Sequence, residues 1–131
     1  MITKQLERVI EKYKITKTKN IIYGTNIPMP NRILPTPWKT YINFEESAYY
    51  FFYFDEAGIT IYERDGEKFV KILWEQVTNF KVSHVFILGK MTIQIGNNTY
   101  HFQLNRFVFG CPWIGINTRY LEENHYFYNK S

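Results

Sequence analysis

The side chains able to do chemistry in this 131-residue chain are few and scattered. His84, His101 and His125 supply the imidazoles, Cys111 the one thiol, and Glu45-Glu46 and Asp55-Glu56 two pairs of neighbouring carboxylates. Metal sites draw their ligands from short, characteristic spacings, and none of the histidines stands at such a spacing from another His, Cys or carboxylate pair. Cys111 lies between Gly110 and Pro112, at the start of an expected helix, a position that can favour a nucleophilic thiol. A nucleophile also needs a matched base and an orienting group, and no such set accompanies it. Neighbours in an extended chain point to opposite faces, so neither carboxylate pair is a ready acid–base couple. His101 alternates with Tyr100 and Phe102 and points away from a core. There is no Gly-rich phosphate loop and no Walker-type lysine. The expectation is a non-enzymatic protein with no catalytic residues, no metal and no cofactor.

Recognition is the remaining use for polar and aromatic side chains. The formal charge of +4 is unevenly placed: residues 1–20 hold six basic side chains against two acidic ones, and the other 111 residues hold ten of each. Lys12, Lys14, Lys17 and Lys19 are therefore candidate contacts to an anionic membrane surface, at about 1 kcal/mol per well-placed charge. The plainer account of the same residues is a solvated helix face followed by a lysine-rich connector. A second candidate group is Arg32, Trp38 and Lys39, in a stretch holding Pro28, Pro30, Pro35 and Pro37. An exposed Trp38 is an interaction anchor; a buried one pins the loop to the domain. Basic residues interleaved with aromatics also mark single-strand nucleic-acid binding, but here the aromatics fall at inward positions, so no nucleic acid is expected.

The elements that must position these residues are mostly strands. Aromatics reach 19% of the chain (11 Tyr, 11 Phe, 3 Trp), a bias that suits the half-buried surface of a sheet. Leu6, Val9, Ile10 and Tyr13 form one helical stripe, giving a helix from Lys4 to about Tyr13 with Thr3 as its N-cap. Lys14–Lys19 reads as a connector and Asn20–Tyr23 as a strand ended by Gly24. Residues 25–44 form a long Pro-rich loop. Ala48–Asp55 is a strand with large side chains on both faces, covered on both sides by the loop or the N-terminal helix. From Gly58 to Leu104 the period-2 pattern is continuous, with turns at Asp65-Gly66, Gly89-Lys90 and Gly96-Asn97-Asn98. Pro112 opens a C-terminal helix carrying Trp113, Ile116 or Asn117, Tyr120 and Leu121, ending near Asn124. The count is seven strands and a C-terminal helix. One apolar face per strand calls for a second sheet or for closure into a barrel.

The single cysteine excludes an internal disulfide and suits a reducing compartment. The chain has no run of 18 apolar residues and no secretory signal at its start, which makes a cytoplasmic location the expectation.

From Ala48 to about Asn124 the chain resembles the bacterial pleckstrin-homology-like domains, relatives of GRAM domains. The resemblance is carried by Gly58-Ile-Thr-Ile-Tyr-Glu, by Trp74-Glu75-Gln76-Val77, and by Gly89-Lys-Met-Thr-Ile-Gln-Ile-Gly. Thr99-Tyr-His-Phe-Gln-Leu and the helix bearing Trp113 and Asn117 complete it. It implies a mainly β fold, a seven-stranded antiparallel barrel capped by a C-terminal helix, to which the chain adds a short N-terminal helix. Residues 1–19 would be helix and basic connector, 20–124 the domain and 125–131 a tail. The function expected is binding of a protein or peptide, with self-association into a homo-oligomer as a further mode. The alternatives are an adaptor in weak contact with an anionic membrane, and a small-ligand carrier with its pocket inside the barrel. The ligand stays unnamed, because one scaffold serves many functions.

Overall fold

Alternation of apolar and polar residues becomes seven antiparallel strands in the computed structural model, which describes residues 2–26, 48–85 and 87–128. In chain order the elements are α1 (Ile2–Tyr13), β1 (Ile21–Asn26), β2 (Tyr49–Phe54), β3 (Gly58–Glu63), β4 (Phe69–Leu73), β5 (Asn79–Val85), β6 (Leu88–Ile95), β7 (Asn98–Asn105) and α2 (Pro112–Glu123). Their order in the sheet is β4-β3-β2-β1-β7-β6-β5. Thus β2-β3-β4 and β5-β6-β7 are two meanders, and β1 joins them by pairing with both β2 and β7.

The expected barrel is not closed: β4 and β5 are the two ends of the sheet. The sheet nevertheless wraps round one interior. Val70 and Ile72 of β4 share a buried cluster with Met91 and Ile93 of β6, and Phe80 and Val82 of β5 pack against it. Between the two ends the gap is filled by rings rather than by strand pairing. Trp74 and Phe80 lie 5.2 Å apart, Phe80 and Tyr128 5.2 Å, and Phe54 and Tyr126 5.3 Å between centroids. Trp74 Nε1 donates to Asp55 O at 2.8 Å, which fixes the indole over the opening.

Residues 125–127, read from the sequence as the start of a tail, supply half of this stopper. Tyr126 and Phe127 are buried. To reach the interior the chain leaves α2 through three consecutive left-handed residues, His125 (φ 53°), Tyr126 (φ 56°) and Phe127 (φ 62°). Each such residue with a side chain costs roughly 1–2 kcal/mol of backbone energy.

The opposite face of β1–β3 is also buried. Ile21, Tyr23, Phe51 and Tyr62 point outward, and Leu6 and Val9 of α1 with Ile114 of α2 cover them. This is the two-sided burial expected of the aromatic strand, with α1 as the cover. At its far end α1 holds the β3–β4 turn, where Lys12 Nζ and Tyr13 Oη both donate to Gly66 O at 2.8 Å. Thr3 is not the N-cap, since the helix begins at Ile2; its hydroxyl instead accepts from Trp113 Nε1 at 3.2 Å. The stripe of α2 resolves in favour of Asn117, which is buried while Ile116 is exposed. Asn117 Nδ2 donates to Thr18 O (3.0 Å) and Ile21 O (2.9 Å), tying the connector to the helix.

Two glycines differ from expectation. Gly24 does not end β1 but lies inside it, and a Cβ there would sit 2.3 Å from Gln103 O. Gly89 belongs to β6, paired with His84, because Val85 already pairs with Leu88 and the reversal therefore precedes Gly89.

Two stability changes follow. Gly24→Ala forces the β1–β7 backbones apart and should destabilise by about 1–3 kcal/mol in urea unfolding. His125→Gly removes a side chain from a left-handed position on an exposed residue and should raise stability by about 1 kcal/mol.

Candidate functional site

Among the described residues, eight large apolar side chains are exposed, and five of them lie on segments that meet around the β7–α2 link, where Ile87 and Phe107 share a groove. Ile87 comes from the β5–β6 turn, Leu88 from the start of β6, Phe107 and Phe109 from the link between β7 and α2, and Ile116 from the first half of α2. The link is tied to the turn by the Arg106 amide, which donates to Ile87 O at 2.8 Å. Phe109 is 92% exposed, a poor position for an aromatic ring without a use. The sequence places Phe107–Gly110 as an apolar bend and does not reveal that its rings face water. Ile116 is outside because Asn117 occupies the inward position one step round the helix.

Between these elements runs a groove of about 190 Å³, with Ile87 and Phe107 on one side and Gly115, Thr118 and Arg119 of α2 on the other. Arg106 and Glu122 close its polar end. Arg106 Nε and Nη2 both donate to Glu122 Oε2, at 3.1 and 2.7 Å. His84 Nε2 stands 3.9 Å from the same oxygen. Arg119 is exposed. The groove is therefore mostly polar, with one apolar wall from Ile87 and Phe107 and two arginines against one glutamate. Nothing in the spacing of Arg106, Arg119 and Glu122 identified them beforehand; they meet because the chain returns from β7 to α2.

The lysines singled out earlier have separate surroundings. Lys12 is committed to Gly66 O and lies 3.8 Å from Glu67. Lys14 follows α1 in a left-handed conformation, φ 55°. Lys17 and Lys19 line a shallow cleft of about 380 Å³ with Thr16, Thr18, Glu56 and Tyr120. The Lys19 amine lies 5.8 Å from the Tyr120 ring centroid. Arg32, Trp38 and Lys39, like Glu45 and Glu46, lie outside the described residues.

The remaining reactive groups have local duties. Asp55 Oδ1 accepts from the amides of Ala57 (2.9 Å) and Gly58 (3.1 Å), making the β2–β3 turn. Cys111 is buried at the N-cap of α2 with its sulfur 3.7 Å from Thr3 Oγ1. His101 Nδ1 lies 3.2 Å from Thr92 Oγ1 on the neighbouring strand. Among the described residues no three His, Cys, Asp or Glu side chains gather as a set of metal ligands, and no helix is long and apolar enough to cross a membrane. No family model, no curated protein and no solved structure matches this chain.

Among the described residues the most strongly perturbed acids are two buried phenols, Tyr62 and Tyr126. Burial pushes the Tyr62 hydroxyl up to about 12 from 10.0, with Tyr53, Tyr13 and Asp55 adding to it. Burial also raises Tyr126, and Tyr23 despite its hydrogen bond from Arg64. The folded state thus keeps protons that the unfolded state releases above pH 10. Stability should hold below that point and fall as the pH rises from 10 through about 12. Tyrosinate absorbance should show a late-titrating fraction that appears together with the loss of near-ultraviolet dichroism.

Proposed function

We propose that this chain is a non-enzymatic binding module that recognises a protein or peptide, on a pleckstrin-homology-like scaffold working in the cytoplasm. The observation that carries the reading is the exposed apolar group Ile87, Leu88, Phe107, Phe109 and Ile116. Large aromatic and aliphatic side chains gathered on one exposed region are the usual anchors of protein recognition. Other surfaces suit contact less well. The sheet ends at β4 and β5, and each of these strands carries an exposed lysine, Lys71 and Lys81. Edge lysines discourage strand addition.

A carrier with an internal pocket gains no support, because Phe52, Phe54, Ile61, Ile93 and Phe102 are fully buried against one another where a ligand would sit. The alternative of an adaptor at an anionic membrane surface rests on Lys12, Lys14, Lys17 and Lys19, of which Lys17 and Lys19 line one cleft with Tyr120. Self-association through the apolar group is a form of the same reading, with a second copy as the protein bound.

The test compares the intact chain with Phe107→Ser/Phe109→Ser in affinity capture from its own cell extract. Both side chains are exposed, so circular dichroism should be unchanged. The wild type should retain a stoichiometric protein that the double variant loses by about tenfold or more. Equal retention by both proteins, or no protein retained by the wild type above the variant, would overturn the reading.

A further inference from the structure

Resting on that reading, we infer that the groove between the β5–β6 turn and α2 takes one large apolar side chain of an acidic partner segment, whose nearby carboxylate pairs with Arg119. Size sets the first half of this statement. At about 190 Å³ the groove is below the roughly 300 Å³ at which small-molecule pockets begin, and it is open along one side. It has space for a single anchor and not for a cofactor. Ile87 and Phe107 provide an apolar wall. On the helix side Thr118 and Arg119 flank Gly115, which brings no side chain. A Cβ at Gly115 would meet nothing nearer than Arg106 O at 3.8 Å, so the helix does not need a glycine there for packing. Gly within a helix costs about 0.5–1 kcal/mol relative to Ala. What it leaves at this point is depth in the groove.

Charge sets the second half. The Arg106 guanidinium is matched by Glu122, at 2.7 Å. Arg119 lines the same groove and makes no hydrogen bond, ion pair or ring contact with any described residue. The groove thus carries, among the described residues, one cation without an ion-pair partner beside the apolar wall of Ile87 and Phe107. Complementarity selects a segment with a large apolar residue and an Asp or Glu within a few positions, and disfavours a basic one.

The experiment selects short random peptides on the intact chain, with the variants Gly115→Leu and Arg119→Glu as counter-targets. Gly115→Leu fills the slot from a position whose Cβ is clear, in a residue type that favours helix. Peptides retained by the wild type should share one large apolar residue with an acidic residue close by. A synthetic consensus peptide should lose about tenfold or more in affinity on each variant, a change of about 1.4 kcal/mol. Replacing its acidic residue with Lys should weaken binding to the wild type and restore it to Arg119→Glu. Selected peptides without an acidic position, or affinities indifferent to both variants, would overturn the inference. So would a dimer in light scattering, or binding to phosphatidylserine vesicles, that Gly115→Leu abolishes while no peptide is selected. The two readings separate cleanly. Partner capture lost in Phe107→Ser/Phe109→Ser but untouched by Gly115→Leu and Arg119→Glu refutes the groove alone, and capture untouched by all of them refutes both.

Discussion

The fold depends on how water is kept from the interior of a sheet that does not close. A strand pair would have sealed the gap between β4 and β5; instead Trp74, Phe80, Tyr126 and Tyr128 seal it with their rings, backed by Phe54. Burying a large aromatic side chain is worth about 3 kcal/mol, and tilted or edge-on ring pairs add about 0.5–1.5 kcal/mol each. Against this stands the left-handed exit from α2, which costs about 3–6 kcal/mol over its three residues. The two magnitudes are comparable. The turn survives because Tyr126 and Phe127 are both buried by it, not because the backbone favours it.

The two helices serve different faces of the same sheet. α1 with Ile114 covers the outer side of β1–β3, while Leu121 at the other end of α2 reaches the inner cluster. One helix therefore couples both cores. Asn117, midway between Ile114 and Leu121, satisfies two backbone carbonyls of the connector and β1. Asn20 does the same for Phe54 O at 2.7 Å. Buried amides of this kind specify where the chain crosses from one layer to the next, because an unmatched carbonyl there would cost about 1–3 kcal/mol. With both faces of β1–β3 occupied, the exposed large apolar side chains of the described residues lie away from the middle of the sheet, on its flanking strands, on the links and on the outer side of α2.

The strands were legible in the sequence because a pleated chain with one buried face must alternate, and Met91, Ile93, Tyr100 and Phe102 are all inward as the alternation requires. The turn at Asp65-Gly66 was legible for a local reason, since Gly66 adopts φ 78°. Gly24 and Gly89 misled because a glycine can mark either a turn or a close approach, and here the neighbouring β7 decided. Closure could not be read at all. It depends on whether β4 meets β5, and Trp74 with the residues after α2 stands in the way. The groove was equally hidden. Its walls come from positions 87, 107, 115 and 119, which share no spacing, and only the return of the chain after β7 assembles them.

The central place of β1 has a consequence for how the molecule reaches its native state. Each meander is made of hairpins between consecutive strands, contacts that form early because little chain entropy is lost in making them. The seam between the meanders is of another kind: Tyr23 must find Asn105, across most of the chain, while on its other side Ile21 must find Tyr53. Two quickly assembled halves then wait on one strand, and the slowest event in folding is the search by which that strand is slotted between them.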